Sequence, residues 1–219
     1  MTCDNGHSLA IVVQHPKFDV LAEIACQAIL DGYPREAVAS FQASLERFYE
    51  YFFFVLSDVR GIPIEEAEKA WKAVAKQSER QLGLYVAAYL FHFGEPPALL
   101  PNAMVAFRNR VIHQGDIPEE DEAIAFGQAV LDITYVMLRD FSQKNIGACT
   151  GYIKRELAEQ AEFRQPGDIN VNAVWRLIYS YNVPGPPTFD LAQEIKERRE
   201  ARALRVMVDA ENAKDRDRA

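Results

Sequence analysis

Apolar residues return every three or four positions through most of this chain, the period of a helix with one buried face. The first such stretch spans residues 16–32 and gathers Phe18, Leu21, Ile24, Cys26, Ile29 and Leu30 on a broad apolar side. Gly32 suits its C-cap, and Pro34 suits the first position of a following helix. That second helix runs over residues 34–58 with Phe41, Leu45, Phe48, Phe52 and Leu56 as its stripe. Ser40, Ser44, Glu46, Arg47 and Glu50 lie on its other face, and Gly61-Ile62-Pro63 ends it. A third helix is predicted over residues 64–93, with an acidic start at Glu65-Glu66, a kink at Gly83 and a stop at Gly94 and Pro96-Pro97. A shorter one follows over residues 99–113. After the turn Gln114-Gly115-Asp116-Ile117-Pro118, a fifth covers residues 119–144 with Ile124, Val130, Ile133, Met137 and Phe141 as its core side. No alternating strand of useful length occurs before residue 145, so the pattern predicts an all-α antiparallel bundle.

Past Asn145 the pattern loosens. Residues 148–163 fit one more helix, and residues 169–181, with Val171, Val174, Trp175, Leu177, Ile178 and Tyr179, fit either helix or strand. Pro184-Gly185-Pro186-Pro187 reads as a hinge. Residues 190–219 form a charged helical pattern with a thin stripe of Leu191, Ile195, Leu204 and Val208, the kind of helix that packs on a partner or frays. The expected organisation is therefore a bundle over residues 17–145 and a C-terminal extension over residues 146–219.

Composition narrows the function classes. The chain has 219 residues, 49% of them apolar, enough for one domain with a good core. Its longest apolar run, residues 51–56, is far too short to span a bilayer, and the first residues lack the basic start of a signal peptide. Cys3, Cys26 and Cys149 are odd in number and far apart, which fits neither a disulfide framework nor a zinc knuckle and points to a reducing cytoplasm. No cluster of Asp, Glu, His or Cys has metal-ligand spacing, and no cofactor is called for. The net charge of −8 argues against a broad grip on nucleic acid but leaves room for a small cationic cleft.

The residues that carry chemistry are Arg108-Asn109-Arg110-Val111-Ile112-His113. A cation for phosphate oxygens, an amide that orients groups and an imidazole that moves protons suit cleavage of an RNA phosphodiester. On a helix Asn109 and His113 share a face, and Arg108 is long enough to reach the same spot. Val111 and Ile112 would anchor the turn in the core. A plainer reading of the same residues is also open: Arg and His near a helix C-terminus interact favourably with its dipole.

At this point the sequence resembles the HEPN domains, small helical bundles of prokaryotic toxins, defence proteins and RNA-processing nucleases. Their signature is an Arg, a polar residue directly after it, and a His a few residues on. Arg108 and His113 stand with four residues between them, and Asn109 is the polar one. Phe107 before the Arg, and the Gly and acidic helix start after the His, are similar too. The resemblance covers residues 18–144.

It implies a metal-independent endoribonuclease that acts as a homodimer, two motifs facing each other across one composite cleft. His113 would serve as general base or acid, Arg108 would stabilise the pentacoordinate phosphate, and Asn109 would position either. Arg110 and Gln114 would contact RNA, with Glu46, Arg47 and Glu50 supporting the motif from the second helix. The implied setting is a toxin or antiphage effector restrained by an antitoxin or regulatory protein. Two other classes remain: a non-catalytic HEPN module that binds a nucleotide, RNA or a protein, and a helical scaffold whose C-terminal helix docks on another chain.

The remaining features read as ordinary. His92, between Phe91 and Phe93, fits a core or helix-end histidine, and His7 and His15 lie in the terminal segment. Tyr49, Tyr51, Phe52, Phe53 and Phe54 must cover all sides of one helix, so they read as core and dimer surface rather than base-stacking platforms.

Overall fold

The computed structural model describes residues 9–13, 15–161, 169–173 and 188–216. The fold is all-α. Its helices are α1 (Lys17–Leu30), α2 (Pro34–Val59), α3 (Ile64–Val74), α4 (Ser78–Phe93), α5 (Asn102–Asn109), α6 (Glu120–Lys144), α7 (Ile146–Ala161) and α8 (Leu191–Arg216). A π-helical turn, Arg110–Gln114, extends α5. Two short strands, β1 (Leu9–Val13) and β2 (Ile169–Ala173), pair in parallel with Leu9 opposite Ile169 and Val13 opposite Ala173. The predicted ambiguity at residues 169–181 is thus a strand at its start; its remainder, with the Pro184–Pro187 hinge, Cys3 and His7, lies outside the described residues.

The core forms around α2, which packs on α1, α6, α4 and α7. Phe41, Leu45, Phe48 and Phe52 are at most 1% exposed, and so are Phe18, Ala22, Ala25, Cys26 and Ile29 on α1. Ile24 falls off that stripe and is 46% exposed, because the helical period assigns its place to Ala22, Ala25 and Cys26. Ser44 donates to the Phe18 carbonyl at 2.6 Å and so ties the two helices together at the first turn of α1. Aromatic rings fill the centre edge to face: Phe18–Tyr51 at 4.9 Å, Phe52–Tyr85 at 5.2 Å and Tyr51–Tyr152 at 5.1 Å.

Three elements depart from the predicted pattern. The single helix over residues 64–93 is two helices, broken at residues 75–77. The break is stabilised by Gln81, whose side-chain amide donates to the Ala75 carbonyl at 2.7 Å in place of the lost ladder bond. Gly83 lies within α4 and has no part in it. The helix over residues 99–113 starts at Asn102 and widens into the π-turn. Finally, the start of α8 packs on its own bundle: Leu191 and Ile195 are buried, whereas Leu204 and Val208 are exposed. Its arginines reach back to acids of the bundle, Arg198 to Glu23 at 2.6 Å, Arg199 to Glu120 at 3.0 Å and Arg202 to Asp31 at 2.6 Å.

His15 bonds Asp19 across one turn at 3.2 Å, and His92 ends α4 within 3.2 Å of the Arg60 guanidinium. Burial and the Arg60 charge both lower the pKa of His92. Among the described residues, no helix is long and apolar enough to cross a membrane.

Candidate functional site

The site is built by the way α5 ends. Val111 is 1% exposed and fixes the π-turn to the core, and Phe107 meets the α6 ring Phe126 at 6.0 Å. Gly115, at φ 82°, reverses the chain, and the Asp116 amide closes the turn on the Arg110 carbonyl at 3.3 Å. Then α6 begins with a capping box: the Glu122 carboxylate takes the Glu119 amide at 2.9 Å. In an α-helix, residues five apart point roughly 140° away from each other. The wider π-turn reduces that angle, so His113 comes round toward the face that carries Arg108. On a plain α-helix only Asn109 would share a face with His113, and Arg108 would reach the same spot by its length alone.

Arg108, Asn109, His113 and Gln114 line one cleft of about 590 Å³. Across from them α2 supplies Gln42, Leu45, Glu46 and Tyr49, and the start of α4 supplies Ser78, Glu79 and Leu82. Leu99, Leu100, Asn102 and Val105 complete the wall. His113 is exposed at this surface, while Arg108 and Asn109 are half-buried.

Two buried polar atoms on the cleft-lining residues have no hydrogen-bond partner: Nε of Arg108 and Oε1 of Gln42. Buried polar groups are nearly always paired, so such atoms beside a cleft are positions for an ordered water or a ligand group. The Tyr49 hydroxyl lies within electrostatic reach of both Glu46 and Arg108. Burial raises its pKa most, the Glu46 carboxylate raises it further, and the Arg108 guanidinium opposes both.

The other predicted site residues are placed elsewhere. Arg110 donates to Asp116 at 3.1 Å, lies over the Phe107 ring at 5.8 Å and is not part of the cleft lining. Arg47 donates to Glu50 at 2.6 Å and to Gln81 at 3.2 Å, and neither Arg47 nor Glu50 lines the cleft. Burial raises the Glu50 pKa, and Arg47 pulls it back. Of the three α2 residues, only Glu46 meets the motif's cleft. Gln42 was missed by sequence reasoning, although it stands one turn before Glu46 and donates to it at 2.9 Å. Tyr49 is only 5% exposed, as core residues are, yet also borders the cleft.

Among the described residues, no group of three or more His, Cys, Asp or Glu side chains is arranged to hold a metal ion. Comparison with family models, with curated proteins and with solved structures gives no match.

Proposed function

We propose that this protein is a metal-independent endoribonuclease of the HEPN type, acting as a homodimer. The observation that carries the reading is the convergence of Arg108, Asn109 and His113 on one cleft, with the Arg108 Nε buried and unpartnered. An unpaired guanidinium nitrogen beside an accessible imidazole offers a seat for a phosphate and a group to move its protons.

In the proposed reaction the ribose 2′-oxygen attacks the adjacent phosphorus and loses its proton to an imidazole. The bond from phosphorus to the 5′-oxygen breaks, and that oxygen takes a proton from the conjugate acid of a second such group. The products are a 2′,3′-cyclic phosphate and a 5′-hydroxyl. Arg108 stabilises the charge on the pentacoordinate phosphorus, and Asn109 orients His113 or a phosphate oxygen. The attacking oxygen belongs to the substrate and is already held beside its target, so the step needs no metal-activated water.

A second copy would supply the second His113. The side chain of Ile117, in the turn that follows the motif, is 82% exposed and suits an interface there. A toxin or antiphage role, with a partner protein restraining activity, extends the same reading. The test is cleavage of a structured RNA by the purified protein in EDTA. Fragments ending in 2′,3′-cyclic phosphate are expected, and none from His113→Ala. Cleavage that appears only with added Mg²⁺, or equal cleavage by His113→Ala, would remove the reading.

A further inference from the structure

The part of the cleft facing the motif is unlike a phosphate site. Its apolar wall comes from Leu45, Leu82, Leu100 and Val105, and α2 places Gln42, Glu46 and the Tyr49 hydroxyl there, of which the Glu46 carboxylate and the Gln42 oxygen are acceptors. Gln42 is 8% exposed, and its Oε1 is buried without a partner. Its amide nitrogen is engaged by Glu46 at 2.9 Å, which leaves the oxygen as its free polar atom. Glu46 makes no ion pair among the described residues: its neighbour Arg47 is taken by Glu50 at 2.6 Å. An apolar slot that ends in a carboxylate and an unsatisfied amide oxygen fits a flat, mostly apolar ligand with adjacent N–H donors on one edge.

We propose that this part of the cleft is a nucleobase pocket selective for guanine, with Glu46 and Gln42 as the residues that determine specificity. The proposal rests on the reading of the cleft as an RNA site and names the base it takes. Guanine alone among the four RNA bases carries two donors side by side, N1–H and the N2 amine, that a carboxylate accepts as a parallel pair. The second N2 hydrogen is then available to the Gln42 oxygen. Adenine and cytosine would set a ring-nitrogen acceptor against the carboxylate, and uracil would flank its one N–H with two carbonyls. Each alternative leaves like partial charges facing each other in a half-buried site. A site built around hydrogen bonds discriminates most strongly against ligands that cannot make them. The cleft's 590 Å³ lies within the roughly 300–1,000 Å³ usual for small-molecule sites and exceeds what one base fills. The adjoining Arg108 side would take the phosphate of the same nucleotide.

The test is equilibrium titration of the intact protein with the 3′-monophosphates of guanosine, adenosine, cytidine, uridine and inosine. Guanosine monophosphate should bind at least about tenfold more tightly than the adenosine, cytidine and uridine forms, a difference of about 1.4 kcal/mol. Inosine lacks the N2 amine and should lose most of that advantage, a comparison that needs no variant. Glu46→Gln keeps an oxygen for the Gln42 amide and should abolish the preference, while His113→Ala should retain it. Equal affinity for all five nucleotides, no binding of any, or an undiminished preference in Glu46→Gln would overturn the proposal. Guanosine-selective binding without RNA cleavage would uphold the pocket and remove the ribonuclease reading. Cleavage by a protein with no guanosine preference would do the reverse.

Discussion

Helix α2 serves two regions that differ in how open they are to solvent. Toward α1 and α6 it presents Phe41, Phe48 and Phe52, closed to water, with Phe48 meeting the Phe18 ring at 5.8 Å and Phe52 the Phe141 ring at 5.1 Å. Ser44 on that side is fully buried and spends its hydroxyl on the Phe18 carbonyl. Toward α5 and the π-turn, the same helix presents Gln42, Glu46 and Tyr49 to an open cleft, where buried polar atoms are left unpaired. The closed side also holds buried polar atoms without a hydrogen-bond partner among the described residues, Glu23 Oε2 on α1, the Tyr51 hydroxyl on α2 and Ser142 Oγ on α6. An unpaired buried donor or acceptor costs about 1–3 kcal/mol on either side. The two faces differ in access: the unpaired atoms toward α5 belong to residues that border an open cleft, and those toward α1 and α6 do not.

The contrast is sharpened most by breaking the closed side. Phe52 is 0% exposed and meets Tyr85, Phe141 and Tyr89 at ring distances of 5.2, 5.1 and 6.0 Å. Phe52→Ala should lose about 3–5 kcal/mol in urea unfolding, the usual result of emptying a large aromatic site. A loss below about 1 kcal/mol would mean that the ring cluster is not the centre of the core.

Next in size is the junction of α8 with α1. Arg198 bonds both Glu23 and Glu194 at 2.6 Å, and its side chain is 15% exposed. Arg198→Ala leaves the largely buried Glu23 without its countercharge, and a loss of about 3 kcal/mol is expected from the same unfolding curve. Gly127 makes a smaller test of the same region. A Cβ there would fall 2.7 Å from Leu191 Cδ2 and would also strike the Phe41 ring. Gly127→Ala should cost about 1–3 kcal/mol and expose α8 to limited proteolysis, because overpacking forces the two side chains apart.

The smallest effect concerns pH. Burial pushes the Cys26 thiol up from 9.0 to about 12, with Arg198 opposing and Glu23 and Glu194 adding to the rise. Above pH 9 the unfolded chain releases this proton before the folded one does, so stability falls as pH rises from 9 toward 12. By pH 10 the loss from this group should be about 1.4 kcal/mol. Urea unfolding at pH 8 and pH 10 checks it, and Cys26→Ala should show a shallower decline than the parent.

The closed region was far more legible in the sequence than the open one. Stripes such as Phe41-Leu45-Phe48-Phe52 announce a buried face directly, because burial imposes the helical period on residue type. Helix breaks without Gly or Pro leave no such mark. The gap between α3 and α4 is maintained by the side chain of Gln81, which reads as one more polar residue. At the cleft, the motif itself could be read, and so could the candidacy of Glu46. The π-turn could not, since its five residues carry no pattern that separates it from an α-helical turn; it holds the buried Val111 and ends at Gly115. Gln42 was invisible for a related reason: its place at the cleft depends on how α2 rotates against α5, a tertiary fact. Arg47 and Glu50 looked equivalent to Glu46 by spacing, but the pairing of Arg47 with Glu50 and Gln81 draws both elsewhere.

The most direct test of the contrast is a paired measurement on Arg108→Ala: RNA cleavage in EDTA beside the urea unfolding curve. If Arg108 is held in the cleft for a ligand, cleavage should fall by at least about a hundredfold, as loss of one transition-state contact usually brings. Stability should stay within about 0.5 kcal/mol of the parent or rise, because removing an unpaired buried donor relieves its desolvation. Unchanged cleavage together with a stability loss as large as that of Phe52→Ala would contradict this, and would make Arg108 a structural residue of the helix end.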